Sequence, residues 1–407
     1  MSGAPRHKIV GVCPAARGAV LAQLMRAERA PAWIVVAPEL RAAEQLAEDT
    51  AFFARLLGGP APEALVFPES IPDSRDMREA FAASGDRLTV LSRLRAARAG
   101  GAAGLAVFAT PTALLQPVPA IEQYAASELV LVRGTKPGFQ DLLERLRALD
   151  YDSEAVCESP GHYAIRGGII DIYPVTAPEP YRLDFFGDEI EDIRIFDPVT
   201  QRSGAKVERI AVAASPRLRL EAAKTGLADY LGPGTRIAFV EPAALEEEFR
   251  AFAGDGTDAL APLLAKCAAA HGLAELDEAS ALFADPATET TWDTESLAHY
   301  RRFPEEALLA RDRLDAEEDA RRAFLAQVAQ WGREGYAVVL AASKEGEEKR
   351  MREVLAADPA LARLEPAYVR GSLNEGFRET ARPGAALAYD RRSRGLVFVT
   401  ETEIFGR

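Results

Sequence analysis

A chain of 407 residues is too long for one ordinary domain and suits roughly two to four. With 48% hydrophobic and 27% charged residues it has a globular composition and apolar material for several cores. Acids outnumber bases 62 to 48, a formal charge of -14, which argues against a chain that binds nucleic acid alone, because phosphate neutralisation needs clustered Lys and Arg. The opening MSGAPRHKIVGVCPAARG lacks the apolar core of a signal peptide, and no apolar run approaches the ~20 residues that span a bilayer. The expectation is a cytoplasmic protein with no membrane partner. Cys13, Cys157 and Cys267 are odd in number and far apart, so they read as reduced thiols. His7, His162, His271 and His299 show no ligand spacing, so neither a metal nor another cofactor is expected.

In chain order, KIVGV, WIVVA, EALVF and GLAVFAT read as buried parallel strands, with helices over 39–57 and 76–99, an α/β layered domain. Pro111, Pro117 and Pro119 punctuate a boundary. Strand ELVLV and helix FQDLLERLRALD then lead into a meander with turns at Gly161, Gly167-Gly168, Ala177-Pro178 and Gly187-Asp188, a small α+β insertion. The α/β pattern resumes with strand RIAFV and helices over 244–252 and 257–271. An acid-rich stretch from 273 to about 318 reads as a wrapping segment or linker. The last ~90 residues read as a separate α/β domain by length, with helix 319–335, strand YAVVLAA, helix 346–356 and strand GLVFVTETE. The division expected is 1–122 and 213–317 for the first α/β domain with its linker, 123–212 for the insertion and 318–407 for the last domain.

The strand-loop-helix at Gly11 to Gly18 matches the setting of a phosphate-binding loop, G-x-x-x-x-G-K-[ST], but keeps only the first glycine. Ala16 replaces the second glycine, Arg17 the lysine and Gly18 the metal-binding hydroxyl; Pro14 removes an amide. In the second nucleotide motif Val240 takes the metal-ligand position before Glu241. These losses predict an inactive nucleotide site, no catalytic residues and no enzyme activity for this chain. Along Tyr181-Arg182-Leu183-Asp184-Phe185-Phe186, period two sets Tyr181, Leu183 and Phe185 on a core face and Arg182, Asp184 and Phe186 on the other. With Arg166 on a preceding strand, this is a candidate docking cluster. The plainer alternative pairs the arginines with Asp184, Asp188 or Glu189 and packs Phe186 under a loop. RLRAARAG (93–100) and YDRRSRG (389–395) read as solvated faces able to make only weak DNA contacts.

HYAIRGGIIDIYP followed by PYRLDFFGDEIEDIRIFDPVTQRS resembles the signature shared by the transcription-repair coupling factor (Mfd) family and its relative UvrB. LLERLRALDYD before it and LVFVTETEIFGR at the end fit the same pattern. The broken loop, and a 67–91 region without the tyrosines of UvrB's DNA-clamping hairpin, favour the coupling factor. The resemblance implies a degenerate, helicase-like P-loop α/β domain with an inserted UvrA-interaction domain, whose UvrA contacts are Arg166, Arg182 and Phe186. It implies an adaptor of transcription-coupled nucleotide excision repair, with a UvrB-like damage-dependent ATPase as the alternative. RNA polymerase and DNA would be engaged only through C-terminal regions of the longer family proteins, which makes these 407 residues look like a fragment or short product.

Overall fold

A computed structural model describes residues 4–71, 76–100, 104–216, 224–253, 256–301, 310–358, 361, 364–381 and 393–405. The chain packs as two units, one of Met1–Leu65, Ala103–Phe108 and Gly234–Arg407, the other of Val66–Ala102 and Ala109–Pro233.

The first unit holds a seven-stranded sheet in the order Thr288–Thr291, Arg6–Val10, Ala269–Leu273, Arg236–Val240, Ala32–Val36, Leu105–Ala109, Glu63–Phe67. Ala32–Val36 and Leu105–Ala109 are buried at every residue, the unalternating pattern of strands covered on both faces. Ala269–Leu273 corrects the expected helix over 257–271. That helix is only a 3-10 turn at Gly256–Leu260 and one turn at Ala261–Leu264, and AAHGL is a central strand between Arg6–Val10 and Arg236–Val240. Its small residues suit a tightly covered strand but carry no β-branched signal.

The 273–318 stretch is also more ordered than a linker wherever it is described. Thr288–Thr291 pairs with Arg6–Val10, and Thr294–Ser296 joins the edge of a second sheet. That sheet runs Thr294–Ser296, Phe377–Thr380, Gly395–Thr400, Tyr336–Ala342, Ala367–Arg370. It closes over Phe324, Val328, Trp331 and Met351. The last predicted strand stops at Thr400, and Glu401–Phe405 is helical. Phe53 packs against Phe377 and Phe398 at ring distances of 5.8 and 5.2 Å. The C-terminal α/β piece therefore shares a packed unit with the first sheet instead of standing apart.

The second unit contains the 22-residue helix Met77–Arg98, capped by the Asp76 carboxylate accepting from the Arg78 and Glu79 amides. Its six-stranded sheet runs Ser203–Lys206, Glu189–Phe196, Tyr181–Phe186, Ile169–Ile172, His162–Arg166, Asp152–Ser153. All pairs are antiparallel except the last. Helix Phe139–Ala148 lays Leu142, Leu143 and Leu146 into a buried layer, and Phe139 meets Phe185 edge-on at 5.2 Å. Among the described residues no helix is long and apolar enough to cross a membrane, and no group of His, Cys, Asp and Glu is arranged to hold a metal ion.

Helices Arg17–Ala27 and Leu40–Leu56 bury Asp49, whose Oδ1 accepts a 2.8 Å bond from Gln45. Burial pushes its carboxyl up to about 7, opposed by the Gln45 bond and reinforced by Glu48. A raised folded-state value means that the stability associated with the neutral acid is complete below the ordinary carboxylate pKa and is lost as pH rises through about 7. Asp49→Asn should therefore stabilise the chain progressively more between pH 4 and 8, by on the order of a few kcal/mol at the upper end. Urea unfolding at pH 5 and pH 8 measures this; an equal gain at both values would contradict it.

Candidate docking face and the closed nucleotide-like loop

Strand register decides which side chains share a face. Ala164, Asp171, Arg182 and Arg194 form one cross-strand row, and Arg166, Ile169 and Asp184 form the next. Arg166, Arg182 and Phe186 thus lie on one side, while Tyr163, Ile170, Ile172 and Leu183 are buried on the other. A register shift occurs beside Asp184 and Phe185, but the extra residue, Glu191, belongs to the neighbouring strand, so alternation along 181–186 is unbroken. Both hairpin turns, Gly167-Gly168 and Gly187-Asp188, have positive φ at the first residue only and lie at the same end of the sheet. Phe186 stands beside the second turn with 80% of its surface exposed.

Arg182 is placed differently from a free docking side chain. Its Nε and Nη2 donate to Asp171 Oδ1 and Oδ2 at 2.7 and 2.8 Å, a bidentate pair with a fully buried carboxylate. Nη1 donates to Gln201 O and Ser203 Oγ, each at 3.2 Å, and the guanidinium lies 4.9 Å from the Phe196 ring centre. Of five N–H donors, one remains for a partner. The hydrogen bond to Asp171 holds the Arg182 pKa above its ordinary value, with burial opposing. The partner is neither Asp184, Asp188 nor Glu189, the three acids that the sequence brought to mind.

Arg166 is exposed and donates one bond, Nη2 to Gln201 Oε1 at 3.3 Å. On the strands beyond Arg182, Arg194 and Lys206 each bond Asp192 Oδ2 at 2.7 Å, and those bonds, Lys206 first, hold the Asp192 carboxyl below the usual range. Asp184 sits 3.9 Å from Arg194. Sequence reasoning missed Asp171 and Gln201. The first is signalled only by an acid between isoleucines on a buried strand, the second by nothing local.

The Gly11 to Gly18 loop is closed by its own chain. Gly11 N donates to Glu275 O and Val12 N to Ala274 O, both at 3.1 Å, and Cys13 N donates to Thr294 Oγ1 at 2.8 Å. Gly11 has φ +76°, and a Cβ there would lie 1.9 Å from Trp292 O. Ala16 N turns back to Cys13 O, and Arg17 pairs with Glu241, which also accepts from Glu275 N at 3.1 Å. A Cβ on Gly18 would fall 2.5 Å from the Asp49 Cβ, so helix packing excludes a hydroxyl-bearing residue. Val240 is fully buried. In RLRAARAG, Arg95 pairs with Glu128 and Arg98 donates to Asp229 O. Most of YDRRSRG, and 72–75 of the 67–91 region, lie outside the described residues.

The candidate face falls inside the segment, residues 129–217, that the UvrB interaction domain matches. The chain is similar to the transcription-repair-coupling factors. It is 32% identical to that factor of Myxococcus xanthus over 268 residues, 62% of this chain and 21% of that protein. Against the Bacillus subtilis factor it is 33% identical over 132 residues, 32% of this chain and 11% of that protein. Against the Haemophilus influenzae factor it is 29% identical over 210 residues, 50% and 17%. The match thus spans about a fifth or less of these relatives' own length.

The two ends of the face should respond differently to truncation. Arg182→Ala leaves Asp171 as a buried, unpaired charge and should cost about 3–5 kcal/mol. Phe186→Ala removes an exposed ring and should stay within about 0.5 kcal/mol of the parent. Denaturant titration of both variants measures this, and equal stabilities would show that the Arg182–Asp171 pair contributes nothing.

Proposed function

We propose that this chain recruits UvrA through the Arg166–Phe186 end of the six-stranded sheet, and that it serves the repair side of transcription-coupled nucleotide excision repair. The observation that carries the reading is Phe186, 80% exposed on the same face as Arg166 and inside the segment matched by the UvrB interaction domain. A large ring on water-facing sheet has no folding role to explain it, whereas an aromatic beside a guanidinium is the composition of an interface centre. Phe186 would enter an apolar pocket of the partner. Arg166, with four N–H donors uncommitted among the described residues, would take a carboxylate or a pair of carbonyls. Arg182 would act chiefly from within, through Asp171. This is recognition rather than chemistry, and the relatives' similarity over this region is its second support. Contacts with RNA polymerase and DNA are assigned to other parts of the coupling machinery.

Purified UvrA should bind the chain in solution, and Arg166→Ala combined with Phe186→Ala should weaken binding at least about ten-fold without loss of fold. Undiminished binding by the double variant would sink the assignment. Arg182→Ala is a poor probe for this purpose, because a loss of binding would be confounded by a loss of stability.

The competing reading, a UvrB-like ATPase, requires nucleotide at the Gly11 loop. The commitment of the Gly11, Val12 and Cys13 amides and of Arg17 to the chain itself supports a loop without nucleotide. Titration of ATP with magnesium should give a flat calorimetric trace. A saturable heat that disappears in Arg17→Ala would restore the enzyme.

A further inference from the structure

We infer that Gln201 is a positioning residue for docking, the single group that holds both arginines of the face; the inference rests on the UvrA reading above. Its backbone oxygen accepts from Arg182 Nη1 at 3.2 Å, and its Oε1 accepts from Arg166 Nη2 at 3.3 Å. Arg166 has no other hydrogen-bond acceptor among the described residues, so Gln201 alone restrains the exposed guanidinium.

The glutamine is itself tightly held. It has φ +59°, a left-handed conformation uncommon for a residue with a side chain. Its amide donates to Asp197 O at 2.8 Å, and Nε2 donates to Pro198 O at 2.6 Å. The second bond fixes which way the side-chain amide faces and so aims Oε1 at Arg166. The turn beneath is closed by Asp197, whose Oδ1 accepts from the Val199 and Thr200 amides at 2.8 and 2.9 Å and whose own amide donates to Arg202 O at 2.9 Å. A long arginine loses rotamer entropy when it binds, and restraint before binding lowers that cost. Gln201 thereby converts a rigid turn into a set direction for the docking charge. Val199, 89% exposed at the crest of the same turn, places an apolar side chain beside it.

Gln201→Gly separates this role from a structural one, because glycine accepts the left-handed backbone without cost and removes only the side-chain bonds. The variant should keep the parent's melting temperature and bind UvrA about three- to ten-fold more weakly. With Arg166 already replaced by Ala, the same change should have no further effect. Parental affinity in Gln201→Gly, or an equal loss in the Arg166→Ala background, would overturn the inference. A second measurement does not use UvrA: the NMR order parameter of the Arg166 Nε–H should fall in Gln201→Gly while that of Arg182 holds. If the parent chain fails to bind UvrA the docking reading falls. An Arg166 order parameter that does not change would overturn the positioning itself.

Discussion

The proposed docking face depends on a charge pair at its base. Asp171 is completely buried, and a carboxylate taken out of water is tolerated only with a matching partner and satisfied lone pairs. Arg182 supplies both oxygens with in-plane donors from the adjacent strand. That bond fixes the guanidinium, which in turn ties the 197–202 turn to the sheet through Gln201 O and Ser203 Oγ. The turn then reaches Arg166. A chain of contacts thus runs from a buried acid, through a turn whose Val199 is exposed, to an exposed cation. Such a pair is a weak source of net stability but a strong constraint on geometry, which is what a recognition surface requires.

In the first unit the Gly11 to Gly18 loop is engaged by its own chain. Several groups that could meet a phosphate there are committed elsewhere. The loop amides go to Ala274, Glu275 and Thr294, the basic side chain goes to Glu241, and the hydroxyl position is closed by helix contact at Asp49. The segment that fills the loop also carries the chain from the first sheet at Thr288–Thr291 to the second at Thr294–Ser296. The loop accordingly anchors a crossover between two sheets.

What could be read without coordinates varied with the physics of each element. Ala32–Val36 and Leu105–Ala109 announced themselves as apolar runs, and the helices at Leu40–Leu56 and Phe139–Ala148 as apolar stripes. AAHGL did not, because a fully covered strand can be built from alanine and glycine when its neighbours leave no room. TETT and TES did not either, because short edge strands need only backbone pairing and tolerate polar side chains.

At the candidate site the sequence by itself determined the sidedness of Arg182 and Phe186, since successive side chains of a strand must point to opposite faces. It also determined that the Gly11 to Gly18 loop carries neither the lysine nor the hydroxyl of a phosphate-binding loop. Only the tertiary structure decided which arginine is tied into the sheet by a bidentate pair and which is exposed with a single bond among the described residues. Whether a guanidinium faces a partner or its own chain depends on acceptors 11 and 19 residues away along the chain, Asp171 and Gln201, brought in by strand register and by a turn folded over the sheet. Local periodicity says which way a side chain points; the acceptor it meets there is fixed by long-range pairing.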